Sequence, residues 1–239
     1  MLRTTALLIV SLASFGFGQT PQLVVTSAAS SSTTVTAGSL ATAYLANLGG
    51  DNLTVEVMDS GSVKRPATLL FSSPRQINFQ IPAGTALGVA TVFVNNGSSA
   101  VSTQIVVAPS APALFAIDNQ GIAAATAVRV VIPTQLQGTV PVFICADPGG
   151  LGCRLLPIDP GVDAPVYLSF YGTSIGTGDV TVNIGLEHVP AIYAGPQGQF
   201  PGLDQVNVQL PLSLHGAGVV DVTITVNGVT SNPVKISVA

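Results

Sequence analysis

Gln76-Ile-Asn-Phe-Gln-Ile-Pro82 returns later in the chain as Gln205-Val-Asn-Val-Gln-Leu-Pro211. In both copies apolar and amide residues alternate with period two. That sets the apolar side chains on one face of an extended strand and the amides on the other. Each copy is followed by another apolar strand, then by Asn-Gly (Asn96-Gly97 and Asn227-Gly228), Ser-containing residues and a final Val/Ile strand. Asn-Gly between alternating strands is a strong hairpin signal, because a type I′ turn needs positive φ at both positions. Upstream, the segment from Leu53 to Val57 matches that from Val180 to Ile184. The chain therefore reads as two homologous units, residues 22–109 and 164–239. Between them, 110–163 opens at Pro109-Ser-Ala-Pro112 and is expected to add strands to the second unit, which then spans 110–239.

The repeated amides allow two readings. One is a polar ligand-binding strip on the strand face. The other is structural: an active site rarely occurs twice in one chain, so amides present in both units act as fold determinants. On that reading, which we favour, Asn78 and Asn207 bond neighbouring loop backbone.

Period-two runs recur elsewhere, in Val180-Thr-Val-Asn-Ile184 and Val222-Thr-Ile-Thr-Val226, with Gly, Pro, Asn and Ser between them. Strands spaced about ten residues apart with turns between them indicate an antiparallel sandwich or barrel. The alanines of 123–131 resemble a helix, but β-branched residues follow directly, so a strand is expected there. The fold class is all-β, with no substantial helix after an N-terminal leader.

Of the 239 residues, 47% are hydrophobic and only 8% charged. An average soluble domain carries roughly 25% charge. With seven Lys and Arg in all, there is no basic patch for nucleic acid. At the start, Arg3 precedes an apolar stretch, Ala6 to Phe17, and Gly16 and Gly18 stand before Gln19. This is the pattern of a signal peptide, residues 1–18, cleaved before Gln19. Nothing downstream reaches the roughly 20 apolar residues of a membrane-spanning helix. The expected location is extracellular or at the cell surface. In that compartment Cys145 and Cys153, bracketing Ala-Asp-Pro-Gly-Gly-Leu-Gly, read as a disulfide closing a hairpin, worth about 2–3 kcal/mol for so short a loop.

Pro165-Val-Tyr-Leu-Ser-Phe-Tyr-Gly-Thr, Tyr193-Ala-Gly-Pro, Pro201-Gly-Leu-Asp-Gln-Val-Asn-Val-Gln-Leu-Pro and Asp221-Val-Thr-Ile-Thr-Val-Asn-Gly-Val-Thr-Ser-Asn together resemble a known family. It is the uncharacterised C-terminal domain family of exported Solibacter-type acidobacterial proteins. The resemblance covers nearly all of the chain after the leader. It implies an immunoglobulin-like β-sandwich, similar to bacterial IPT/TIG modules, in a secreted or surface protein.

Gly172-Thr-Ser-Ile-Gly176 satisfies the Gly-x-Ser-x-Gly pattern of a nucleophile elbow, and Asp179, Glu187, Asp204, His188 and His215 follow it. An elbow needs a strand before the serine and a helix after it. Here another strand follows, so Ser174 is expected in a hairpin turn, with no catalytic residue. Two histidines without Glu-x-x-His or His-x-His spacing argue against zinc. Asp118-Asn-Gln-Gly and the Asp159/Asp163 turn are oxygen-rich but lack calcium-loop spacing, and such residues commonly bond their own backbone. Neither a metal nor a cofactor is expected. The partner would be an unidentified protein or glycan outside the cell. The leading reading is a non-enzymatic structural or interaction module. An alternative is a glycan- or polymer-binding module using Tyr193, Gln197, Phe200 and Asp204 in the loop 193–204; a secreted hydrolase acting through Ser174 is a distant third.

Overall fold

The computed structural model describes residues 22–45, 52–97, 99–147, 152–176 and 178–239. The leader with its cleavage point at Gln19, and part of the cysteine loop, lie outside the described residues. The first unit contains β1 (Val24–Ser27), β2 (Thr34–Val35), β3 (Leu40–Tyr44), β4 (Thr54–Met58), β5 (Lys64–Pro66), β6 (Thr68–Ser72), β7 (Gln76–Gln80), β8 (Gly88–Asn95) and β9 (Ala100–Val107). The second opens with β10 (Ala113–Leu114), β11 (Ala125–Val131), β12 (Leu136–Val140), β13 (Phe143–Ile144), β14 (Arg154–Leu155) and β15 (Pro157–Ile158). It continues with β16 (Val166–Thr173), β17 (Val180–Ile184), β18 (Glu187–Pro190), β19 (Tyr193–Pro196), β20 (Asp204–Gln209), β21 (Gly218–Val226), β22 (Val229–Thr230) and β23 (Val234–Val238). Among the described residues the sole helical element is a three-residue 3-10 turn, Leu212–Leu214.

In the first unit the sheet β1-β3-β7-β6 faces β2-β9-β8-β4-β5. In the second, β12-β11-β16-β20-β19 faces β15-β23-β21-β17-β18, with β10 beside β16 and β22 beside β21. The orders correspond strand for strand: β1, β3, β7 and β6 take the places of β11, β16, β20 and β19. The parallel pair β2–β9 also recurs, as β15–β23. Segment 110–163 therefore supplies repeat strands, β11 and β15, besides the additions β10, β12 and the β13–β14 hairpin. The disulfide Cys145–Cys153 closes that hairpin immediately beyond the Ile144–Arg154 pair.

Each sandwich closes over its own core, because the period-two apolar residues of both its sheets point inward. Val25, Ala43, Ile77 and Phe79 meet Val57, Val92 and Ile105 in the first. Leu168, Phe170, Val206 and Val208 meet Val182, Ile224 and Ile236 in the second.

Two local expectations are corrected. Asn227 (φ +49) and Gly228 (φ +82) form the two-residue turn between Val226 and Val229, as a type I′ hairpin requires. In the first unit, however, the pair Asn95–Ala100 brackets a four-residue connection, and of Asn96-Gly97 only Gly97 (φ +85) is left-handed. The Asn95 side chain accepts from the Gly97 N–H instead (2.8 Å). The second correction concerns the amides. Asn78 Oδ1 accepts from Gln76 Nε2 (2.9 Å) and Thr42 Oγ1 (3.1 Å), and Asn207 Oδ1 from Gln205 Nε2 (2.7 Å). Both asparagines thus join side-chain ladders along the sheet rather than loop backbone. Loop backbone is bonded by Gln80, which reaches the Gly38 carbonyl, while the Asn232 amide clamps both N–H and C=O of Leu114 in β10.

In the first unit Asp59 organises the turn into β5. Its buried carboxylate accepts from the N–H groups of Gly61, Val63 and Ala86 and pairs with Arg65. The Val63 and Ala86 amides first, then the Arg65 guanidinium, lower its pKa from 3.8 to about 2. A depressed carboxylate pKa stabilises the fold above the ordinary value and ceases to do so as pH falls through the folded one. We expect Asp59→Asn to lower the thermal midpoint by several degrees at pH 6, and the deficit to shrink as pH falls from 3.8 towards 2. A deficit constant across that range would disprove the assignment.

Candidate functional site

The Gly-x-Ser-x-Gly segment lies where the two units meet. β16 ends at Thr173, and the next strand, β17, belongs to the opposite sheet. The expected hairpin turn at Ser174 is thus corrected to a crossing between the sheets of one sandwich. Both glycines have architectural causes. A Cβ on Gly172 would stand 2.4 Å from the Ala113 carbonyl oxygen and 2.7 Å from Ile175 Cδ1, because β10 lies against it; Gly176 is left-handed at φ +61. Ser174 is itself left-handed (φ +61) and buried, and its hydroxyl finds no hydrogen-bond partner among the described residues.

Thr173, one position earlier, joins the units. Its Oγ1 accepts from the Leu40 N–H (2.9 Å) and donates to the Gly202 carbonyl (2.8 Å). Gly202, at φ +79, packs so closely on the first unit that a Cβ would stand 2.9 Å from both Gly38 O and Leu40 Cδ2. Within the second unit, Ser110 donates to the Val226 carbonyl (3.0 Å) and so ties down the segment that follows the first unit. A cleft of about 410 Å³ remains between the units, lined by Gly38, Ser39, Gln80, Ser174 and Asp204.

Asp204, placed by its sequence in an exposed recognition loop, is corrected to a buried residue at the start of β20. Its Oδ2 accepts from the N–H groups of Ile175 (2.8 Å) and Gly176 (3.3 Å). Burial pushes its pKa up against the opposing pull of those two amides. The carboxylate fixes the crossing from beneath and does not bond the serine. His188 is bonded to Asn183 (2.6 Å) at the end of β17 remote from Ser174, and His215 follows the 3-10 turn. The elbow pattern therefore assembles neither nucleophile with base nor base with orienting acid. Asp118 accepts from the N–H of Gln120 and of Ile122, and Asp159 from that of Gly161, so both oxygen-rich loops are closed by their own backbone.

The loop 193–204 is braced internally. Gln197 N–H donates to Leu203 O, Leu203 N–H to Phe200 O, and Gln199 N–H to Gln197 Oε1. Phe200 stands exposed at its tip. Tyr193 belongs to β19, where it pairs with Asn207 and donates its hydroxyl to the Pro196 carbonyl (2.5 Å). The four residues chosen from sequence are thereby separated: Tyr193 on a sheet face, Gln197 in a loop brace, Phe200 at a tip and Asp204 inside.

What the sequence reading missed is that face. In β16 the core takes Val166, Leu168 and Phe170, which leaves Tyr167, Ser169 and Tyr171 on the outer surface. Register sets Tyr167 beside Gln209, Ser169 beside Asn207 and then Tyr193, and Tyr171 beside Gln205. The remaining tyrosine, Tyr44, pairs with Gln76 on the equivalent sheet of the first unit. All four tyrosines of the chain thus flank an amide strand. The signal was available, in the period-two run Val166-Tyr-Leu-Ser-Phe-Tyr171. The chain matches no known protein-family model and no curated protein sequence.

Proposed function

We propose that this chain is an exported, non-catalytic β-sandwich protein acting as a structural or interaction module outside the cell. The observation that carries the reading is the coupling of two equivalent sandwiches through Thr173 and Gly202. It holds their outer faces in a fixed relation, and rigid elements are what a recognition surface needs. The position of Asp204, turned to backbone amides and not to Ser174, supports a structural role for the Gly-x-Ser-x-Gly segment. Export is supported by the leader-like start of the sequence, by the low charge and by the disulfide, which suits an oxidising compartment. The resemblance to an exported acidobacterial domain family points the same way. No helix among the described residues is long and apolar enough to cross a membrane.

Fractionating the producing organism tests the location. We expect the protein in the secreted or surface fraction, with the intact mass of a chain starting near Gln19. A cytosolic chain retaining Met1 to Gly18 would overturn export. Fluorophosphonate probes test the chemistry, and the expected result is no labelling. Stoichiometric labelling that disappears in Ser174→Ala would replace the module by a secreted hydrolase.

A further inference from the structure

We infer that the outer face of the β11-β16-β20-β19 sheet binds a neutral polysaccharide, with Tyr167, Tyr171 and Tyr193 as stacking platforms and Asn207 as a central hydrogen-bonding group. The inference rests on the interaction-module reading and names its ligand class.

Three cross-strand rows make the surface. Tyr167 and Gln209 form one, with Val128 and Thr139 beyond Tyr167; Thr126, Ser169, Asn207 and Tyr193 the next; Tyr171, Gln205 and Gly195 the third. Tyr167 and Tyr171 are four residues apart on one strand, about 13 Å, and Tyr193 stands two strands across, about 10 Å away laterally. Three separated rings over such an area suit an extended oligomer better than a single sugar ring.

Hydrogen bonding at the face is directional and incomplete. Gln205 Nε2 donates to Asn207 Oδ1 (2.7 Å) and Ser169 Oγ (3.4 Å), so the acceptor of Asn207 is engaged within the sheet. Its Nδ2 donates to no described residue and is left for an outside acceptor. Two of the rings are held in place. The Tyr171 hydroxyl bonds Thr126 Oγ1 (3.2 Å), and the Tyr193 hydroxyl bonds Pro196 O. Such preorganisation lowers the entropy lost on binding.

Charge selects the ligand class. None of the residues in the three rows is an Asp, Glu, Lys, Arg or His, so a nucleic acid or a charged polymer finds no counter-ion there. A protein partner would favour a continuous apolar centre, and here amides occupy it. Sugar rings present apolar C–H faces to aromatic rings, and their hydroxyls both donate and accept, which matches tyrosines alternating with amides.

Native gels cast with neutral polysaccharides (hydroxyethylcellulose, xyloglucan, galactomannan, dextran) and with anionic alginate test the inference on the full chain. We expect retardation by at least one neutral polymer, with affinity reduced about tenfold in Tyr167→Ala and in Tyr193→Ala. Tyr44→Ala, on the other unit, should bind like the parent. The chain has no tryptophan, so its near-ultraviolet emission comes from tyrosine. Oligosaccharides cut from the retarding polymer should therefore change the emission of the unsubstituted protein, a readout that survives if a variant misfolds. Absence of retardation in every neutral gel, retardation by alginate alone, or binding unaffected by both tyrosine substitutions would overturn the inference. So would a dimer dissolved by Tyr193→Ala in light scattering, which would identify a second copy as the occupant. These failures leave the module reading standing; that reading falls to a cytosolic location or to labelling of Ser174.

Discussion

In urea, Phe79→Ala is expected to cost the first unit about 3–5 kcal/mol, the range for emptying a fully buried aromatic site. Phe79 is completely buried in β7, and its cross-strand neighbour in β3 is Ala41. The second unit solves the same problem with the sizes exchanged, since Leu168 there faces Val208. An alanine at 79 would sit opposite an alanine already present in β3, leaving the part-exposed Leu69 of β6 as its bulky cross-strand neighbour. Val208→Ala, with Leu168 opposite, should cost markedly less. Urea midpoints and slopes for the two variants check this, and the compensation argument fails if Val208→Ala is the more damaging of the two.

Gly172→Ala is expected to destabilise the second unit by about 1–3 kcal/mol or more, the cost of overpacking. The new methyl would meet a carbonyl oxygen at 2.4 Å, and that oxygen belongs to β10, which cannot rotate away as a side chain can. Either β10 leaves β16 or the pair separates, and both outcomes weaken the bonds that join the units at Thr173. Ser174 should behave in the opposite sense. Replacing its unpartnered buried hydroxyl by hydrogen in Ser174→Ala should be close to neutral, and Ser174→Gly should gain about 1 kcal/mol by relieving the left-handed conformation. Thermal melts of the three variants decide the matter. A large loss in Ser174→Ala beside a tolerated Gly172→Ala would mean that the segment is organised around the serine after all.

The sequence alone determined the strand content and the inward residues. Alternation along Gln76–Gln80, Val166–Tyr171 and Val222–Val226 is a local property, and a period of two places side chains on alternate faces whatever lies around the strand. The repeat followed from the same feature, as did the Cys145–Cys153 hairpin, whose ends are brought together by a short run of turn residues. Tertiary structure decided everything that depended on which strands are neighbours. Similarity faded before residue 164 because β11 and β15 share little with β1 and β2 beyond apolar character, yet they fill the same places in the sheets. Gly172 and Gly176 looked like an elbow because sequence records that a glycine is present and not why; β10 pressing on one and the left-handed φ of the other supply the reasons. Asp204 looked exposed among Gly, Pro and Gln, but it is the first residue of β20 and its oxygen meets two amides from a segment almost thirty positions away. Tyr167, Tyr171 and Tyr193 form one surface only because register aligns β16, β20 and β19. Register is set by hydrogen bonds between strands distant in the chain, and period two within a single strand carries no record of it.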